Sequence, residues 1–308
     1  MKNMQDKEKI FLIFNTSCFG DVLICNSLCQ NIKRLYPNSK TVFIVNKPFY
    51  EAAKGQDCVD EVIIYDKKGE HKGIKGFFKF IKDFKYKHPD ISIIAYKNTR
   101  NFWTSVFLGS KKISNGKKFD LNTPSQTQVL NLLNKITKEK LVDCPIKFKA
   151  EGKIPNSLDN MLFEGEKYIS LCTTTKNPPK DMPLKDAVRL IDLINKNTKY
   201  KVVFTGAGAV SKEYAENLKK QGADFIDLTD KTSILELAEI LKLSKCLISV
   251  DTGTMHLGYA VSVPLIAVFY EDITLGRWAP NPKFYNSILI KENQTPENIF
   301  QNAMKIIG

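Results

Sequence analysis

Short apolar runs alternate with amphipathic stretches of helical spacing along this 308-residue chain, and that alternation limits the folds open to it. The apolar runs of the first half fall at residues 10–14, 41–45, 61–65 and 91–94. Those of the second half fall at 168–172, 201–205, 225–228, 246–250 and 265–269. Helical spacing recurs at 21–36, 74–84, 125–138, 184–195, 212–221 and 234–243, with a closing helix over 296–307. Strands separated by helices read as parallel sheets with right-handed crossovers. A stretch rich in Gly, Pro, Asn and Glu at 147–165 parts the two series. The expectation is two doubly wound, Rossmann-like α/β domains, 1–150 and 151–308.

Two turns stand out. SVDTGTMHL at 249–257 carries a strand straight into a helix. Such a start leaves backbone N–H groups unpaired and adds the positive end of the helix dipole, which suits a phosphate or diphosphate. Gly253 admits close backbone approach, and Thr252 and Thr254 offer hydroxyls. Simple capping by Asp251 or Thr252 is the alternative. The second turn, NTSCFGD at 15–21, lies between the strand at 10–14 and the helix at 21–36. It places Asp21 at the carboxyl edge of the first strand, where open parallel sheets bind ligands. There it can cap the helix or act as a base, and the residues leave both open.

Charge separates the halves. Residues 1–150 hold 27 Lys+Arg against 14 Asp+Glu, and residues 151–308 hold 19 of each. Within 67–118 the count is 14 basic to 3 acidic. That asymmetry points to an acidic partner for the first domain, against the alternative of a solvated lysine-rich face. The seven cysteines show neither paired metal-ligand spacing nor a disulfide rhythm and read as reduced thiols of a cytoplasmic protein. The apolar start at 10–14 is too short for a signal-peptide core, and no later run is long enough to span a membrane. No acidic or His/Cys cluster has metal-ligand spacing, so neither metal nor cofactor is expected.

Three stretches together resemble glycosyltransferase family 9, the family of the bacterial lipopolysaccharide heptosyltransferases. TSCFGD at 16–21 is similar to the family's T-S-x-x-G-D turn. LCTTTK at 171–176 with KDMP at 180–183 is similar to its threonine pair followed by K-x-W-P. The third stretch is VDTGTMHL at 250–257 with PLIAVF at 264–269. The chain departs from the pattern at Asn15, usually Arg; at Ser27, often Pro; at Met182, usually Trp; and in the loop at 269–273. The resemblance implies the GT-B arrangement, two Rossmann-like domains facing a central cleft, with the closing helix able to pack back on the first domain. It implies inverting transfer of a sugar from a nucleotide-diphosphate donor, ADP-heptose first, to an acidic lipopolysaccharide or lipooligosaccharide core.

In that reading Asp21 is the base and Lys180 stabilises the leaving diphosphate. Thr174, Thr175, Thr252, Gly253 and His256 hold the donor, while Asp251 points away from the phosphates and orients the sugar. Lys72, Lys75, Lys79 and Lys82 recur at helical spacing. With Lys111, Lys112, Lys117 and Lys118 they attract the phosphorylated acceptor or the anionic cytoplasmic face of the inner membrane. Phe77, Phe78, Phe80 and Phe84 are the aromatic residues placed to meet lipid or to enter the core.

Other readings start from other features. A sugar-nucleotide epimerase shares the two-domain pattern. TGAGAV at 205–210, with Asp227 beyond it, resembles part of a dinucleotide fingerprint and suggests an NAD-dependent oxidoreductase. An isoelectric point near 9.2 suggests nucleic-acid binding, but no zinc-finger or RNA-recognition motif accompanies it, so no nucleic-acid partner is expected.

Overall fold

The computed structural model describes residues 8–117, 120–163, 167–271 and 274–308. Lys118, the end of the expected linker at 164–165, and Asp272 and Ile273 of the loop at 269–273 lie outside them. The chain divides into two compact units, Met1–Lys147 and Phe148–Gly308.

The first unit is built on five strands: β1 (Ile10–Phe14), β2 (Lys40–Val45), β3 (Glu61–Ile64), β4 (Ile91–Ile94) and β5 (Lys112–Asn115). Their order is β3-β2-β1-β4-β5, with every pairing parallel. The helices are α1 (Phe19–Ile24), α2 (Asn26–Leu35), α3 (Tyr50–Lys54), α4 (Gly73–Asp83), α5 (Thr99–Phe107) and α6 (Ser125–Thr137). β1 is central, and Phe11, Leu12, Ile13 and Phe14 are all fully buried, so alternate side chains fill both faces of the sheet. Each contributes about 1.5–3 kcal/mol by leaving water.

The helix expected over 21–36 is two helices. The Ser27 hydroxyl donates to the Ile24 carbonyl at 3.1 Å, taking an acceptor that a continuous helix would use. Ser27 is then the second residue of α2, a position where a helix also tolerates proline. β5 went unforeseen because KISN has one apolar residue, and α3 and α5 because their apolar faces are short.

The second unit has six parallel strands: β6 (Tyr168–Cys172), β7 (Lys201–Phe204), β8 (Ile226–Asp227), β9 (Leu247–Val250), β10 (Leu265–Val268) and β11 (Ser287–Ile290). They run in the order β11-β10-β9-β6-β7-β8. Around them lie α7 (Asn156–Phe163), α8 (Leu184–Asn197), α9 (Ala209–Lys220), α10 (Ile234–Leu243), α11 (Gly253–Ala260), α12 (Leu275–Trp278) and α13 (Pro296–Ile307). The stretch expected as linker thus holds α7. The closing helix α13 packs on α8, β10 and β11 of its own unit. Ile299 and Ala303 join Leu190, Ile194, Val250 and Val268 in one apolar cluster.

Candidate functional site

Strand order reverses between β6 and β9, so the carboxyl ends of these neighbours flank the second unit's switch point. β6 runs into Thr173, Thr174 and Thr175, and β9 into Asp251, Thr252 and Gly253. Lys180 ends a short 3-10 turn, Pro178–Lys180, and its Nζ lies 2.6 Å from Asp251 Oδ2. The two side chains are only 17% and 6% exposed. Lys180 and Asp251, given separate duties from the sequence, therefore form one ion pair. In so enclosed a place the pair is screened less than on an open surface, and it fixes an otherwise mobile lysine.

Thr252 caps α11. Its Oγ1 accepts from the N–H groups of Thr254 at 3.0 Å and Met255 at 3.4 Å. The helix start is thus less open than expected, because the cap takes two of its first-turn donors. Gly253 opens the helix and remains partly exposed. Thr174 is buried with its Oγ1 2.7 Å from Ser211 Oγ. Thr175 is partly exposed; its N–H donates to Asp181 Oδ1 at 2.6 Å and its hydroxyl to the Asn177 carbonyl at 2.7 Å. Burial pushes the Asp181 carboxyl above its ordinary value, and the Thr175 bonds pull against that. Met182, in place of the family tryptophan, is buried, and its N–H donates to the Thr173 carbonyl at 3.0 Å. The loop between β6 and α8 is therefore held by its own polar groups.

His256 lies inside the unit, with Nδ1 2.5 Å from Tyr259 Oη and its ring edge-on to Trp278. Burial pulls its pKa down to about 4, with Asp251 opposing and Lys180 assisting. At neutral pH it carries no charge to a ligand.

In the first unit the reversal falls between β1 and β4. Asp21 is in the first turn of α1 and buried. Ser17 Oγ lies 2.7 Å from Asp21 Oδ2 and 2.6 Å from Asn15 Oδ1. One hydroxyl proton serves one acceptor at a time. As a carboxylate, Asp21 accepts it. Once protonated, Asp21 can donate to Ser17, which then donates to Asn15. The carboxyl keeps a hydroxyl partner in either state. Asn15 is oriented by donating Nδ2–H to the Asp21 carbonyl at 2.8 Å.

Lys67 and Arg100 stand at the same sheet edge and were missed from the sequence. Lys67 Nζ donates to Thr16 Oγ1 at 2.6 Å, and burial, with Arg100 nearby, lowers its pKa to about 8. Arg100 Nε donates to Tyr65 Oη at 2.8 Å. The rule that singled out Asp21, polar residues just past a strand end, applies equally to Lys67 after β3. Arg277 was missed too; it is buried, with its guanidinium 4.5 Å from the Trp278 ring centroid.

The other lysines scatter. Lys72 is the residue before α4, and Lys75, Lys79 and Lys82 are exposed on α4. Lys79 pairs with Glu70 at 2.9 Å and Lys111 with Asp90 at 2.6 Å. Lys112 opens β5, and Lys117 is exposed. Phe80 and Phe84 are core residues, the second of the two placements the sequence left open: Phe80 stacks on Tyr65 at 4.0 Å. The glycine turn at 206–208 opens α9 off β7, outside the switch point, and Gly208 N–H donates to Asp230 Oδ1. Asp227, the acid expected to hold a ribose, is paired with Lys219. Among the described residues no group of three His, Cys, Asp or Glu is placed to hold a metal ion.

A sequence profile described as glycosyltransferase family 9 (heptosyltransferase) matches residues 103–307. Among curated protein sequences none matches the chain significantly. The crystal structure of a family 9 glycosyltransferase from Veillonella parvula is similar over 99% of this chain and 98% of its own, with a TM-score of 0.80 at 18% identity. The E. coli ADP-heptose lipopolysaccharide heptosyltransferase II aligns over 97% and 98%, with a TM-score of 0.73 at 14% identity. The E. coli heptosyltransferase WaaC, solved with ADP, aligns over 96% and 99%, with a TM-score of 0.75 at 17% identity. The fold of two parallel sheets with alternating helices is the GT-B fold of these heptosyltransferases.

Proposed function

The chain belongs to glycosyltransferase family 9, and from that premise we propose that it moves heptose from ADP-heptose, with inversion, to an acidic lipopolysaccharide or lipooligosaccharide core. The observation that carries this reading is the Lys180–Asp251 pair beside the capped start of α11, at the switch point of the second sheet. A diphosphate seeks a cation held in place, and Lys180 is such a cation. The similar WaaC holds ADP, and the similar heptosyltransferase II is named for ADP-heptose.

The acceptor hydroxyl gives its proton to Asp21 as its oxygen bonds to the anomeric carbon. The bond from that carbon to the diphosphate breaks, and the nucleoside diphosphate departs with the electron pair. Lys180 stabilises the charge that grows on the leaving oxygen, so its effect is greatest in the transition state. The start of α11 holds the diphosphate, Thr175 joining it by turning its hydroxyl proton from the Asn177 carbonyl to a phosphate oxygen, and Asp251, having fixed Lys180, faces the sugar hydroxyls. Lys72, Lys75, Lys79, Lys111 and Lys112 attract the acidic acceptor. The lysine does the work that a divalent ion performs elsewhere, so transfer is metal-independent. The enzyme works at the cytoplasmic face of the membrane that carries its acceptor.

A donor screen tests this. Thermal stabilisation by ADP and ADP-heptose, with little from UDP- or GDP-sugars or NAD, followed by heptose transfer to purified core fragments, is the expected result. Stabilisation by UDP-N-acetylglucosamine alone, with epimerised product, would replace it.

A further inference from the structure

The first unit carries a cluster of exposed aromatic side chains on two neighbouring helices. On α4, Ile74 is 78% and Phe78 51% exposed; on α5, Trp103 is 49% and Phe107 54% exposed. Trp103, Val106 and Phe107 are three and four residues apart and share one face, as do Ile74, Phe77 and Phe78. The two faces meet: the Phe107 ring centroid lies 5.7 Å from Phe77 and 5.6 Å from Phe78, both edge-on, and 6.4 Å from Trp103. Isolated exposed apolar residues are ordinary, but a contiguous aromatic cluster marks an interaction surface.

Lysines border it. An open concavity beside Phe78 is lined by Lys75, Phe78, Lys79, Ile81, Lys82 and Asp83. Over residues 70–83 the four lysines Lys72, Lys75, Lys79 and Lys82 outnumber the two acids Glu70 and Asp83, one of which, Glu70, pairs with Lys79. We propose that this α4–α5 face docks on an anionic phospholipid bilayer, with Phe78, Trp103 and Phe107 entering the headgroup–acyl boundary and the α4 lysines engaging lipid phosphates.

The charge decides the occupant. A second copy would set lysine against lysine, and lysine is depleted at protein–protein interfaces. At a bilayer, long lysine stems lie along the apolar surface while their ammonium groups reach phosphate, and aromatic rings favour the interface. No helix among the described residues is long and apolar enough to cross a membrane, so the contact is interfacial. The surface deepens the proposed reading, with which it shares Lys75 and Lys79, but its test needs no sugar transfer, so its failure is told apart from a failure of the transferase reading.

The test uses the full chain and vesicles of phosphatidylethanolamine with phosphatidylglycerol, against phosphatidylcholine alone. Cosedimentation is expected with the anionic vesicles only. The triple variant Phe78→Ser, Trp103→Ser, Phe107→Ser should lose at least about tenfold in binding. Each of Lys75→Gln and Lys82→Gln should lose about fivefold, the usual share of one lysine near an anionic surface. Wild-type tryptophan emission should shift to the blue on binding and be quenched by brominated phosphatidylglycerol. Trp103→Phe should abolish that response, since the only other tryptophan is Trp278. Should the triple variant fail to fold, Phe107→Ser and the wild-type quenching carry the test. No binding to the anionic vesicles, equal binding to phosphatidylcholine, vesicle binding without blue shift or quenching, or undiminished binding by the aromatic variants would each overturn the proposal, and self-association broken by Phe107→Ser would assign the face to a second copy instead.

Discussion

Lys180 Nζ lies 2.6 Å from Asp251 Oδ2, which ties the cation assigned to the diphosphate to the carboxylate that follows β9. The two partners should respond differently to replacement. In the proposed mechanism Lys180→Ala removes charge that matters most as the leaving group departs, so kcat/KM should fall about 100- to 1000-fold and ADP binding about tenfold. Asp251→Asn leaves the lysine in place but loosely held. It should lower unfolding free energy by about 1–3 kcal/mol, below the cost of breaking a fully buried pair because Lys180 keeps some access to water. ADP binding should largely survive. Calorimetric ADP titration and urea unfolding of both variants check this; equal loss of ADP affinity would mean that Asp251 acts on the nucleotide diphosphate and not on the sugar alone.

Asp21 sits in the first turn of α1 with Ser17 at hydrogen-bond distance. Asp21→Asn preserves shape and removes the proposed base. Turnover should fall by about two powers of ten or more while the affinity for ADP stays near wild type. Near-normal turnover in this variant would leave Asp21 as a helix-capping residue with no part in the reaction.

Thr252 accepts from two backbone N–H groups of α11. Thr252→Ala should cost about 1 kcal/mol of stability through the lost cap, and Thr252→Ser should restore most of it. If the capped turn also holds diphosphate, the Ala variant binds ADP more weakly and the Ser variant recovers. Thermal unfolding with and without ADP separates the two effects.

Transfer should continue in excess chelator if, as proposed, the charge-stabilising role falls to Lys180 and the start of α11. An assay in EDTA, with magnesium added back, reads this directly. Activity lost in chelator and regained with magnesium would show that the lysine does not suffice.

The strand pattern was legible because central strands of parallel sheets are apolar on both faces, and β1, β2, β6 and β9 announce themselves as runs. β5 was not, since the edge strand KISN buries little and its identity comes from pairing with β4. The residues proposed to hold the diphosphate were marked one by one by strand ends and glycine, but Lys180 and Asp251 are 71 residues apart and their pairing is a product of tertiary structure. The α4 phenylalanines show the same limit. Helical spacing placed Phe77, Phe78, Phe80 and Phe84 together, and only packing on Tyr65 separates buried Phe80 from exposed Phe78. Trp103 and Phe107 complete the exposed cluster from a helix that spacing alone did not reveal.

His256 offers a pH readout of the second unit. Its pKa is about 4 in the folded chain against an ordinary 6.5, chiefly because burial penalises the imidazolium. Between those values the unfolded chain binds the proton and the folded chain does not. Stability from this residue is therefore intact above about pH 6.5 and is lost as the pH falls toward 4, by an amount on the order of 3 kcal/mol. His256→Gln keeps a polar group near Tyr259 but cannot titrate. It should be less stable than wild type at pH 7.5, where a close pairing is lost, and the gap should narrow or reverse by pH 4.5. Urea midpoints of both proteins across that range provide the measurement. A gap that stays constant with pH would mean that His256 titrates in the folded chain much as it does in the unfolded one, and that its burial beside Tyr259 and Trp278 is less complete than the geometry indicates.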